Sequence, residues 1–434
     1  ISYIGFENDT IHVDSENVKL EIVLREGLSL GEVNVVRRRF GTTKLRSSAM
    51  NVDIISSAEL SRAACCNLGE SFVTNPSVDV SYSDAATGAK QIKLLGLSGT
   101  YVQMMTENIP NYRGAAAPYG LGYVPGPWMQ SIQVSKGSSS VKNGYESITG
   151  QINVEFKKPQ LPEADWVSAN LFASSTGRYE ANADATLKLS KRWSTSLLAH
   201  YENETMAHDA NHDGFADIPR VEQYNLWNRW AYMGDHYVFQ AGIKALSEWR
   251  NSGQVNHGGN PGQEFYKIGI DTRRYEAFTK NAYIFNKEKN TNLALILQGT
   301  FHNQDAVYGH KLYDVDQTNV YASLLFETEF SKRHSLSTGL SFNYDGYDQR
   351  YRLTNDVELP RLKSFEKESV PGAYVQYTYN LEDKLILMGG IRGDYSSMHG
   401  FFVTPRAHVK YNPNEYVHFQ LSAGKGYCTN HVLA

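Results

Sequence analysis

Asp209, Asn211, Asp213 and Asp217 occupy positions 1, 3, 5 and 9 of the segment "DANHDGFADIP", with Gly214 at position 6. Side-chain oxygens at alternate positions, with a glycine at the sharp turn, can wrap one hard cation as a calcium loop does. Arg220 stands at position 12, where such loops carry a closing Glu. The site would therefore be partial, completed by Glu222 or by another loop. A solvated Asp/Asn-rich turn is the alternative, and the residues alone leave both open. Cys65, Cys66, Met104 and Met105 form a second candidate, because thiol and thioether donors select Cu(I). Nothing in the sequence brings the two pairs together. The preferred reading is a buried cysteine pair on a helix, with methionine filling core gaps. The histidines are scattered, with no pair at helical spacing for zinc. No nucleophile elbow, phosphate loop or paired carboxylates point to an enzyme, and no cofactor is required.

A chain of 434 residues, 41% hydrophobic and 20% charged, has room for two or more units. Mean hydropathy is -0.45, and no apolar run reaches the roughly 18 residues of a membrane helix. That leaves open a soluble protein, or a β-barrel whose strands meet lipid at every second residue. Tyrosine is abundant at 28 residues, beside 18 Phe and 6 Trp, a bias that suits the two lipid interfaces of a barrel. The net charge of -4 is mild and the densest basic run, Arg37 to Arg39, is short, so nucleic acid is not an expected partner. Three cysteines, two of them adjacent, do not make a disulfide scaffold.

Three zones follow along the chain. Residues 1–27 alternate apolar and polar side chains and read as two strands ending a small β-sandwich. Residues 28–159 mix periodicities, with a helix expected over 57–68 behind an N-cap at Ser57, and suggest an α+β globule. Residues 160–434 alternate at period two. Tyr179, Ala181, Ala183, Ala185, Leu187 and Leu189 interleave with Arg178, Glu180, Asn182, Asp184, Thr186 and Lys188. Segments of roughly 10–13 residues suit a tilted bilayer crossing. Short turns at 190–191, 234–235, 286–290, 331–334, 380–383 and 412–414 alternate with longer loops at 202–220, 250–271, 303–317 and 349–366. This is the sorting expected of tight periplasmic turns and long extracellular loops. Roughly thirteen strands result, and closed single-chain bacterial barrels have an even number. No signal peptide is seen and Ile1 falls inside an expected strand, so we expect further chain at both ends.

The segment "SIQVSKGSSSVKNGYESITGQINVEFKKP" (131–159) resembles the plug-to-barrel signature of TonB-dependent outer-membrane receptors. "NVDIISSAEL", "NLGESFVTNPSVDV" and "QIKLLGLSGTYVQMMTENIP" are similar to earlier plug elements of that family. Leu95 stands ahead of Gly96 where the family usually has Arg. Residues 1–27 resemble the end of the carboxypeptidase-regulatory-like sandwich that precedes the plug in many Bacteroidetes members. The resemblance implies a mainly β protein: sandwich remnant at 1–27, α+β plug at 28–159, and at 160–434 part of an antiparallel transmembrane barrel of ~22 strands. It implies an outer-membrane location with the plug and N-terminal domain on the periplasmic side. It also implies TonB-powered import of a scarce metal chelate, most simply an iron–siderophore complex. Cobalamin, copper or glycan remain alternatives, the last with a surface lipoprotein partner; a passive porin or adhesin is the rival outside the class. "LGEVNVV" (30–36) resembles a TonB box, whose Glu32, Val33, Val35 and Val36 would pair with TonB as an added strand. Asn111, Tyr112, Arg113 and Tyr119 fall where apical plug loops of the family touch ligand, and Arg113 could hold an anionic chelate.

Overall fold

The computed structural model describes residues 43–44, 48–62, 66–73, 75, 77–97, 99–159, 166–255, 265–414 and 417–429. The expected sandwich remnant, the TonB-box-like segment with Glu32, Val33, Val35 and Val36, and Cys65 lie outside them.

The first globule holds strands β1 (Thr43–Lys44), β2 (Asn51–Ser56), β3 (Val78–Asp84), β4 (Ala89–Leu94), β5 (Val102–Thr106), β6 (Ile109–Pro110), β7 (Met129–Lys136) and β8 (Gly150–Phe156). Six of them form a sheet in the order β1-β2-β7-β8-β5-β6, and β3-β4 is a separate hairpin. Ile55, Ile132, Val134, Ile152 and Val154 are fully buried in its core, with Leu68, Tyr123 and Trp128. The helix expected over 57–68 is shorter. Helix α1 spans Ser57–Arg62, with Ser57 inside it, and a 3-10 turn follows at Leu68–Phe72. Asn67 caps that turn by accepting from the Glu70 amide at 3.3 Å, the short-range bonding that lets Asn end one turn and start another.

Thirteen further strands pair with their neighbours in sequence in one antiparallel sheet. They are β9 (Val167–Ala173), β10 (Arg178–Lys188), β11 (Trp193–Glu204), β12 (Arg220–Met233), β13 (Tyr237–Gly253), β14 (Lys267–Asn286), β15 (Thr291–Tyr308), β16 (Lys311–Ser331), β17 (His334–Arg352), β18 (Leu362–Leu381), β19 (Leu385–Ser396), β20 (Gly400–Tyr411) and β21 (Phe419–Gly424). Many exceed the expected 10–13 residues. β16 has 21 residues; at ~3.4 Å each and a ~45° tilt it rises about 50 Å against a ~30 Å hydrocarbon core, so it projects well past the bilayer. The loop expected over 303–317 is accordingly replaced by strand, with only 309–310 outside β15 and β16. There the inward face, with Ala306, Tyr313 and Val315, is buried against the first globule, while the outward face carries Asn303, Asp305, Asp314 and Asp316, so no lipid-facing apolar stripe reveals the strand.

Alternation in this sheet is inverted relative to a soluble protein. On β11, Ser194, Ser196, His200, Glu202 and Glu204 are buried while Trp193 and Leu197 are exposed; on β12, Gln223, Asn225 and Arg229 are buried while Tyr224, Leu226 and Trp230 are exposed. The polar face packs on the first globule and the apolar face points outward, as in a barrel surrounded by lipid.

Candidate functional site

The β5–β6 connection is a two-residue turn whose central residues, Glu107 and Asn108, have φ of 50° and 62°, the left-handed pair that hairpin turns require. A non-glycine residue rarely adopts such a backbone without tertiary support. Here the support is ionic. Glu107 Oε1 accepts from Arg229 on β12 at 2.5 Å, and Lys280 on β14 donates to the Glu107 carbonyl at 2.8 Å. Burial opposes the charge on this carboxylate, but Arg229 and Lys280 together hold it down to about 2.

A second polar cluster lies farther toward the long-loop end. Asn111 donates to Glu276 at 2.8 Å and to Thr106 at 3.0 Å, and its Oδ1 accepts from Arg274 at 2.6 Å. Lys244 donates to the Tyr112 hydroxyl at 3.0 Å. A third contact is made by Arg406 on β20, whose guanidinium donates to the carbonyls of Ser139, Ser140, Tyr145 and Ser147. Inward-facing charges of the wall therefore hold the globule at three levels.

Near the long-loop end lies a cavity of about 450 Å³. Asn111, Tyr112, Arg113, Gln103, Met104, Tyr145 and Glu146 line it from the globule, and Asp345, Tyr347, Glu368 and Cys428 from the wall side. Arg113 donates to Glu146 at 2.9 Å and also pairs with Asp345. Glu146 is pushed above the usual carboxylate range, chiefly by burial; Arg113 opposes this and the Asp345 and Glu368 carboxylates add to it. Gly114, at a φ of +56°, lets the Tyr347 ring lie against the loop where a side chain would collide with it.

Three of the four apical-loop candidates, Asn111, Tyr112 and Arg113, thus share one cavity. Tyr119 lines a neighbouring cleft instead, its ring 4.8 Å from the Arg250 guanidinium. The picture of Arg113 as an open anion receptor changes, because two carboxylates already hold it. Leu95, in the position ahead of Gly96, is 60% exposed at a φ of 56°.

The two methionines among the soft-donor candidates do not converge. Met104 and Met105 are consecutive on β5 and point to opposite faces: Met105 is fully buried and Met104 reaches the cavity. Cys66 is buried outside α1, and burial pushes its thiol well up. In the 209–217 loop the carboxylates turn inward on their own backbone. Asp209 accepts from the Asp213 and Gly214 amides at 3.0 Å each, Asp213 accepts from Phe215 and Asp217 from Ala210. Among the described residues, no group of three or more His, Cys, Asp or Glu could hold a metal ion.

The residues missed from sequence are those of the wall: Arg229, Arg274, Glu276, Asp345, Glu368 and Arg406. Their signal was present as charge at inward strand positions. Which inward charges meet the globule depends on a register that local pattern does not contain.

A globule held by buried charges against the polar face of a sheet whose other face is apolar is the architecture of a plugged membrane barrel. Residues 44–151 match the TonB-dependent receptor plug domain, and residues 298–428 match the TonB dependent receptor-like β-barrel. The chain belongs to the TonB-dependent receptor family. Similar solved structures include the ferripyoverdine receptor of the outer membrane of Pseudomonas aeruginosa (TM-score 0.70, 14% identity, 88% of this chain and 58% of that one). The alcaligin outer-membrane receptor of Bordetella pertussis is another (0.65, 15%, 85% and 61%), as is the ferric enterobactin receptor of Pseudomonas aeruginosa (0.69, 13%, 87% and 62%). At these identities the likeness establishes a shared fold. This chain spans 55–63% of the length of such structures. No curated protein matches it.

Proposed function

We propose that the protein is a TonB-dependent transporter of the bacterial outer membrane that imports a metal chelate, most simply an iron–siderophore complex. The observation that carries this reading is the cavity at the extracellular-loop end, formed jointly by plug and wall. A ligand seated there touches both bodies at once, so its binding can be communicated to the plug. Below it, Glu107 and the Asn111–Glu276 cluster hold the plug in the lumen, so passage requires work on the plug. The outer membrane has no nucleotide supply of its own, and TonB pairing with a segment such as 30–36 would deliver that work. The structural neighbours are named for siderophores, which favours this substrate class over cobalamin, copper or glycan.

Uptake of radio-iron chelates into cells carrying the receptor, with and without TonB, tests the reading. TonB-dependent accumulation supports it. Equal accumulation without TonB would make the protein a passive pore.

A further inference from the structure

The charge of the cavity limits what it can hold. Its charged lining consists of Lys90, Arg113, Glu146, Asp345 and Glu368. Three carboxylates thus face two cations, of which Arg113 is already engaged and Lys90 also borders the neighbouring cleft. Arg113 is held by Glu146 and Asp345. The Lys90 ammonium lies 5.3 Å from the centroid of the Tyr82 ring, and Tyr82 lines the neighbouring cleft and not this cavity. Among the described residues, Glu368 accepts from two neutral hydroxyls, Ser396 at 2.5 Å and Thr429 at 3.5 Å. The wall is therefore short of positive charge.

A separate observation points the same way. Gln103, 3% exposed, lines the cavity. Its Nε2 donates to the Asn143 carbonyl at 2.7 Å, and its Oε1 is buried without a partner among the described residues. An orphaned buried acceptor is costly until a donor reaches it. Tyr112, Tyr145 and Tyr347 complete the lining, and aromatic faces attract cations.

We propose that the cavity selects a metal chelate bearing a free ammonium or similar cationic donor group, which meets Glu368, Glu146 and Asp345, and that it rejects polyanionic chelates. This rests on the chelate-receptor reading above. Glu146 supports it: its carboxyl already sits above the ordinary range because burial and two neighbouring carboxylates outweigh Arg113. A further anion would add to that repulsion, whereas a cation relieves it.

The test uses the receptor purified from membranes in detergent, with binding measured by calorimetry. Three probes are compared: a ferric trihydroxamate with one free ammonium, the same chelate with that amine acetylated, and a ferric triscatecholate of net negative charge. We expect the ammonium form to bind about tenfold or more tightly than its acetylated twin, and the triscatecholate least. Glu368→Gln, which keeps an acceptor for Ser396, should bring the first two chelates together. Asp345→Asn, which leaves Arg113 to Glu146 alone, should raise triscatecholate affinity. Equal binding of the ammonium and acetylated forms, or tighter triscatecholate binding, overturns the inference while the chelate reading stands. Binding of none of the three, with cobalamin or Cu(I) bound instead, overturns both.

Discussion

Glu107 of the plug and Arg229 of the barrel wall meet at 2.5 Å with both side chains only 3% exposed. They are 122 residues apart in sequence, and Lys280 stands within 3.4 Å of the same carboxylate. Removing one member of such a pair leaves the others buried and uncompensated.

Glu107→Ala should therefore loosen plug docking by about 3–5 kcal/mol. Limited proteolysis in detergent checks this: cleavage within 99–123 should speed up while the barrel strands stay protected. Unchanged protection would mean that the pair contributes nothing to docking.

The same pair sets an acid window. Glu107 has a folded pKa depressed to about 2 against an unfolded value of ordinary carboxylate size. Its contribution is thus complete above the ordinary range and disappears as pH falls toward about 2. Acid titration of plug protection should show this loss in the wild type and lack it in Glu107→Ala.

Arg406 donates to four plug carbonyls. In Arg406→Ala the Ser139 and Ser147 carbonyls lose this donor, at roughly 1 kcal/mol or more each, while Ser140 and Tyr145 keep backbone bonds from Asn143 and Tyr427. Hydrogen exchange should accelerate over 138–148, with little change in β2 and β7. Arg406→Lys should rescue only part of the effect, since an ammonium lacks the planar fork.

Glu146 faces Arg113 from its own domain and Asp345 and Glu368 from the wall, with Tyr145 and Tyr347 beside it. Its raised pKa means that it is the first of the plug-side cavity charges to be neutralised as pH falls. Binding of a cationic chelate should weaken as pH drops through that raised value, and Glu146→Gln should flatten the profile. A profile that strengthens toward acid would contradict this.

Cys428 is exposed and lines the cavity, whereas Cys66 is buried. A maleimide should label Cys428 in the native protein and leave Cys66 untouched until unfolding, with Cys65 replaced by Ser to keep the readout clean. A bound chelate should slow labelling at Cys428 by roughly tenfold. Labelling unaffected by a tightly bound chelate would place the ligand elsewhere.

Much of the architecture was legible because period-two alternation is local. Leu197 and Ser196 declare opposite faces without reference to anything distant, and turns such as 190–191 and 234–235 announce themselves by composition. The projecting ends of β15 and β16 were not legible, since their outward face carries Asn303, Asp305, Asp314 and Asp316 in place of a lipid-facing apolar stripe. The cavity was half legible. Arg113 was found from its loop, but its partners lie 33 and 232 residues away, and only strand register decides that Asp345 meets it. Met104 and Met105 cannot both face one site, because adjacency on β5 sends them apart.

The inverted alternation of the wall bears on how the chain can reach this state at all. In water, collapse would gather Trp193, Leu197, Leu226 and Trp230 inside and turn Glu202, Arg229 and Glu276 outward, which is the opposite of what is seen. The pattern is thus an instruction that only an amphiphilic surface can read. Diluted from denaturant into plain buffer, the chain would follow it to the wrong object; the membrane works here as the missing half of the folding code.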